Sequence, residues 1–175
     1  KSGKLLKELN LNYDICFTSY LKRAIKTLEI VLKVLGKDIK YKKAWELNER
    51  HYGALTGLNK AETEKKLGEG QFKKYRRSWD NPPPSLDRGS EYSSHKDLLY
   101  KDLSNIPDTE SLKNTYDRVL PYFEKHIEKH IKQSKNIILS AHGNSIRALG
   151  KKIFNISDKS INLLEIPTGN PLVID

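Results

Sequence analysis

Apolar positions recur along this chain in two rhythms, and the alternation between them predicts its elements. Between residues 21 and 35 they fall at Leu21, Ile25, Leu28, Val31, Leu32 and Leu35, the spacing of one helix face, and Gly36 supplies the stop. The short run Tyr13–Phe17 just before it reads as a strand. Residues 2–10, with Leu5, Leu6 and Leu9 on one side, read as the tail of an amphipathic helix. A second strand-then-helix pair is expected at 136–141, the β-branched run NIILSA, and at 145–154. Ile39–Lys42 is expected to add a short strand, and Leu172–Ile174 a last one.

Polar stretches divide these units. Asn59 is placed to cap a helix running through Leu67, and Gly70 precedes another through Trp79. The Pro82-Pro83-Pro84 run opens a loop-rich stretch to Pro107, a length expected of a functional loop or lid, or of a cover over one face. Thr109 with Leu112 and Val119 begins a long helix to about Gln133, which Pro121 should kink or break, and a short helix is expected near 158–163. Alternating strands and helices imply an α/β fold of three layers, with a mixed, mostly parallel sheet flanked by helices on both faces.

Length and charge narrow the picture less than the pattern does. A chain of 175 residues suits one domain with a real core. Its 32 Lys and Arg against 22 Asp and Glu leave a net charge of +10, which suits a polyphosphorylated metabolite, a nucleic acid or an anionic membrane without choosing among them. The single cysteine, Cys16, can form no internal disulfide and no zinc motif, so a reducing, cytoplasmic setting is the default. No apolar stretch reaches bilayer length and KSGKLLKELN is too charged for a signal peptide, so a soluble protein with no membrane partner is expected. The start at Lys1 and the apolar end LVID suggest that one or both ends of the natural protein lie outside these residues.

The residues most able to do chemistry stand at the second strand-to-helix junction, LSAHGNSIRALG. In open α/β sheets such junctions line the carboxyl edge where ligands bind, and free N–H groups at a helix start favour an anion. His142, Gly143 and Asn144 would then sit at a phosphate or carboxylate site; alternatively Gly143 makes the turn, Asn144 or Ser145 caps the helix, and His142 is merely exposed. Further cations and a carboxylate come from Arg23, from Glu49-Arg50-His51-Tyr52, from Lys60, and from Lys73-Lys74 with Arg76-Arg77, and together these could hold a small polyanion. Adjacent Arg76 and Arg77 cannot both face one way on a helix, and Glu49-Arg50 could be a surface ion pair. His126 and His130 share one helix face with no third ligand evident and read as a solvated face, and His95 takes no role. Tyr75 and Trp79 could stack on bases, but their spacing favours packing.

The segments TSYLKRAIKT, LNERHYGALTGLNKAET, RRSWDNPPP, AHGNSIRAL and IPTGNPLV resemble, in order and over nearly the whole chain, motifs of the cofactor-dependent phosphoglycerate mutases of the histidine phosphatase superfamily. The second of these is specific and separates the mutases from general phosphatases. The resemblance implies an enzyme interconverting 3-phosphoglycerate and 2-phosphoglycerate through a phosphohistidine, with 2,3-bisphosphoglycerate as primer and no metal. It makes Glu49 the proton donor and acceptor, and His142 the histidine that hydrogen-bonds the transferring phosphoryl group. Arg23 would bind that group, with Gly143 bringing backbone close. Arg50, His51, Tyr52, Lys60, Arg76, Arg77 and Asn144 would bind substrate. It also implies phosphoglycerates as partners, no nucleic acid, and a homo-oligomer, dimer or tetramer.

The family's Arg-His-Gly motif, however, is absent from the sequence. Its nucleophilic histidine and first central strand are therefore expected to precede Lys1, and its C-terminal tail to follow Asp175, so that residues 1–175 form one mutase-like domain without those parts. Three rivals remain: bisphosphoglycerate synthase or phosphatase activity in the same family, an inactive polyanion-binding protein, and a basic nucleic-acid-binding module.

Overall fold

The computed structural model describes residues 1–174. They divide into two units, one of residues 1–49, 118–147 and those from Glu165 on, the other of residues 50–117 and 148–164.

In the first unit, helix α1 (Ser2–Glu8) leads into strand β1 (Ile15–Thr18), helix α2 (Lys22–Leu35) and strand β2 (Tyr41–Lys43). Strand β3 (Ile137–Ser140) completes a sheet in the order β2-β1-β3. Cys16 pairs with Tyr41 on one side and Ile138 on the other, and Thr18 with Lys43 and Ser140. Both pairings are parallel, so among the described residues the sheet is parallel rather than mixed. As the middle strand, β1 is covered on both faces, and Cys16, Phe17 and Thr18 are fully buried. On one face Cys16 and Ile138 pack with Leu28, Val31 and Leu32 of α2. Removing a side chain such as Leu28 from water contributes about 2 kcal/mol. Burial also pushes the Cys16 thiol up to about 11, which keeps it protonated and inert.

Local signals place the ends of these elements. Gly36 takes the left-handed conformation (φ 66°), and Lys37 N–H reaches back to the Leu32 carbonyl, closing α2 as the sequence predicts. Pro121 falls inside helix α5 (Leu112–Tyr122), where it lacks the N–H that would bond to residue 117. The helix then widens into a π turn at Phe123–Ile127 before α6 (Glu128–Ile131), so the predicted break is a change of winding. Val119, Phe123 and Ile127 stay buried through it. His130 is not on a solvated face: its ring nitrogens are buried and it packs against Phe17, with centroids 6.0 Å apart. The second face of the sheet is thereby covered. The expected strand at Leu172–Ile174 is not formed, and all three side chains are exposed.

The second unit holds α3 (Lys60–Leu67) and α4 (Glu69–Arg77). Asn59 caps α3 as read from sequence, its Oδ1 accepting from Ala61 and Glu62 N–H. The proline-led loop is anchored by backbone: Ala54 N–H donates to the Pro84 carbonyl at 2.8 Å, Leu86 N–H to Asp108 and Lys113 N–H to Trp79. Gly53 has φ 56°, and a Cβ there would lie 2.1 Å from the Pro84 oxygen, so only glycine fits this crossing. His95 and Arg88 both bond the Asp108 carboxylate, a role the sequence did not assign. Trp79 packs edge-on against Tyr116, as its spacing suggested.

Candidate active site

Helix α7 (Gly143–Ile153) starts two residues earlier than the pattern predicts, directly after His142. The His142 carbonyl accepts the Ile146 N–H, and the Ser145 hydroxyl accepts the His142 N–H. Ser145 therefore satisfies the His142 N–H at the helix start, the back-reaching half of a capping box. His142 is not merely exposed: it retains 6% of its surface, and its ring is bonded at both nitrogens.

Parallel pairing brings the ends of β1 and β3 together. Thr18 Oγ1 donates to the Ser140 carbonyl at 2.9 Å, so Ser19, one residue past β1, and His142, two past β3, follow neighbouring strand ends. Ser19 Oγ lies 2.8 Å from His142 Nε2, and Arg23, on the first turn of α2, donates from Nε to His142 Nδ1 at 3.2 Å. Burial first, then the charges of Arg23 and Arg118 against the opposing pull of Glu49, push the imidazole down to about 4. His142 is neutral at pH 7.

Glu49 joins the same cluster. Its Oε1 accepts the Asn144 N–H at 3.2 Å, placing a carboxylate on the positive end of α7. A Cβ on Gly143 would lie 4.0 Å from the other oxygen of Glu49, an ordinary contact. The Asn144 side chain accepts from Arg147 Nη1 at 2.8 Å. Glu49 is delivered by the turn at 45–48, whose carbonyls from Trp45, Glu46 and Asn48 accept from Arg118, while Asn48 Oδ1 accepts the Tyr20 N–H. Ser19, Asn48, Arg118 and Arg147 escaped the sequence reading. The available signal for Ser19 was its place at the carboxyl end of a strand parallel to the one before His142.

In the second unit Arg50 is buried (2% exposed), so it is not half of a surface ion pair. Its Nη2 donates to the carbonyls of Tyr75 and Arg76, and its guanidinium lies 4.5 Å from the Tyr52 ring centre. Arg76 stacks at 5.0 Å on Tyr52 and at 5.4 Å on Phe72. His51 is tied to Glu110: its Nδ1 lies 2.9 Å from Oε2, which also accepts the His51 N–H. A carboxylate only accepts, so Nδ1 carries a proton. Glu110, 1% exposed, was not read from the sequence. Lys60 opens α3 and Arg77 closes α4.

Residues 1–97 match the profile of the histidine phosphatase superfamily (branch 1). A 2,3-bisphosphoglycerate-dependent phosphoglycerate mutase from Pelagibacter ubique is 50% identical over 177 residues, covering 100% of this chain and 74% of that protein. This chain belongs to the histidine phosphatase superfamily. A mutase of the same name from a Caulobacter species is 51% identical, covering 100% of this chain and 74% of its own length. Solved structures share the fold at low identity. A mycobacterial glucosyl-3-phosphoglycerate phosphatase aligns with a TM-score of 0.65 at 17% identity, over 93% of this chain and 68% of that one. A putative α-ribazole-5'-P phosphatase from Escherichia coli aligns at 0.64 and 14%, over 96% and 71%. Among the described residues, no helix is long and apolar enough to cross a membrane.

Proposed function

We propose that this protein is a 2,3-bisphosphoglycerate-dependent phosphoglycerate mutase, interconverting 3-phosphoglycerate and 2-phosphoglycerate. The observation that carries this reading is identity near one half, along the entire chain, to proteins of that name. The chemistry of the first unit fits it. Arg23 beside a neutral, buried His142 offers donors to a phosphoryl oxyanion, and phosphoryl transfer asks mainly for such positioning and charge.

Arg23 would hold the moving group's oxygens and His142, which accepts from Arg23 Nε, would orient that guanidinium, with Gly143 keeping backbone close. Glu49 would take the proton from the substrate hydroxyl as its oxygen bonds to phosphorus and the phosphohistidine P–N bond breaks, and return it when the other phosphoryl group passes back to that histidine. Arg50, Tyr52, Lys60, Arg76, Arg77 and Asn144 would bind the substrate's carboxylate and remaining phosphate. His51, tied to Glu110, would fix the path of that loop as much as meet substrate. 2,3-Bisphosphoglycerate supplies the phosphoryl group that primes the enzyme. With no Arg-His-Gly in these 175 residues, the phosphorylated histidine would come from a part of the natural protein outside them. A cytoplasmic location fits the lone, buried Cys16, and a homo-oligomeric state follows from the resemblance alone.

The test is a mutase assay of the natural chain with 3-phosphoglycerate and catalytic 2,3-bisphosphoglycerate, beside isotopic labelling. Turnover together with an acid-labile, base-stable phosphoryl label supports the reading. Tight binding of 2,3-bisphosphoglycerate without either would make the protein a polyanion binder. Salt-sensitive retention on DNA that 2,3-bisphosphoglycerate does not abolish would favour a nucleic-acid module.

A further inference from the structure

We propose that Ser19 is a positioning residue that holds the His142 ring in the orientation in which Arg23 meets an unprotonated Nδ1 and the ring's proton sits on Nε2. Its relevance to turnover rests on the reading of His142 as part of the phosphoryl-transfer machinery, but the placement of the proton does not.

The argument is one of donors and acceptors. A guanidinium Nε–H can only donate, so His142 Nδ1, 3.2 Å from Arg23 Nε, must present its lone pair. A neutral imidazole then has its single proton on Nε2, and that proton points to Ser19 Oγ at 2.8 Å. Ser19 is fully buried, so no water substitutes for it. Its oxygen also accepts the Leu21 N–H at 3.1 Å, which holds the hydroxyl in place at the mouth of α2. The main chain of His142 is fixed separately by Ser145, leaving ring rotation as the freedom that Ser19 removes.

This arrangement turns the Nδ1 lone pair, rather than Nε2–H, toward Arg23, so the ring orients the guanidinium that would meet an anion. Loss of the hydroxyl would strand a buried Nε2–H and let the ring rotate or exchange tautomers. Threonine keeps an oxygen at the same place, whereas alanine removes it. Residue spacing alone does not reveal the pair, because 123 residues separate its members.

The decisive measurement is the nitrogen-15 spectrum of the His142 ring in the natural chain, free of phosphate, for the unaltered protein, Ser19→Ala and Ser19→Thr. The unaltered protein should show a protonated Nε2 and an unprotonated, pyridine-type Nδ1. Ser19→Ala should average or reverse this pattern, and Ser19→Thr should restore it. In parallel, kcat should fall by about tenfold to a hundredfold in Ser19→Ala with KM changing less, as for other residues that orient a functional imidazole, and recover in Ser19→Thr. A proton on Nδ1 in the unaltered protein, or an unchanged pattern in Ser19→Ala, overturns the proposal. If Ser19→Ala does not fold, the unaltered spectrum and Ser19→Thr decide alone. Absence of mutase activity in the unaltered chain would remove the functional reading while leaving the ring spectrum to judge Ser19.

Discussion

Around His142, donors and acceptors come from side chains standing at strand ends: Ser19 after β1, Arg23 on the next helix turn, Glu49 against the first N–H groups of α7. Around Arg50, by contrast, a guanidinium is held by main-chain carbonyls and an aromatic ring, and a second one, Arg76, lies across two rings. The first arrangement is directional: each partner dictates the protonation or orientation of the next. The second is permissive, since a ring face attracts a cation over a range of angles. Directional clusters suit a step in which protons and phosphoryl oxygens must be met within tenths of an ångström. Stacked cations suit the grip on a carboxylate or phosphate that does not react. Changes in the first cluster should therefore appear in turnover, and changes in the second in affinity, except where a buried charge holds the loop itself.

The largest effect should follow Glu49→Gln, which keeps the shape but cannot exchange a proton. We expect kcat to fall by about a hundredfold or more, with KM within a few-fold, in steady-state assays of the natural chain. Unaltered kcat would take Glu49 out of the reaction and dissolve the contrast between clusters. Next, Glu110→Ala leaves two His51 N–H groups without their buried acceptor and should cost about 2 kcal/mol in urea unfolding. A loss below about 1 kcal/mol would mean that the loop is held by its backbone bonds alone.

Acid should weaken the first cluster through His142. Its folded value of about 4 lies below the ordinary 6.5, so the unfolded chain binds more protons between those limits. Stability should be fully present above about pH 6.5 and fall as pH drops toward 4, by no more than about 3 kcal/mol for this group. Unfolding curves of His142→Gln should lose that portion of the slope, and identical slopes would show that the imidazole is not held neutral. The smallest effect should be Arg76→Ala, with KM raised about tenfold and kcat nearly kept, consistent with losing a stacked, charge-assisted contact. An equal fall in kcat would place Arg76 in the directional group and blur the comparison.

Local chemistry made much of this molecule legible. The period of α2, its glycine stop, the Asn59 cap and the strand-to-helix junction at His142 all depend on interactions within a few residues. Side-chain spacing and backbone conformation are sufficient to specify them. The candidate residues themselves were readable by type and motif, down to Arg23, Glu49 and His142. Their partners were not: Ser19 meets His142 and Glu110 meets His51 across long stretches of chain, and only strand pairing and loop crossing bring them together.

The misreadings share that cause. KHIEKH looks solvated by charge, yet winding through a π turn carries His130 onto Phe17. Leu172–Ile174 looks like a strand by composition, but a strand exists only where another supplies its hydrogen bonds, and none among the described residues does so. By itself, then, the sequence determined the helices, their ends and the kinds of group available for chemistry, because those are local. Tertiary structure alone decided which groups touch, which stay dry and which nitrogen holds a proton, because burial and hydrogen-bond direction arise between distant segments.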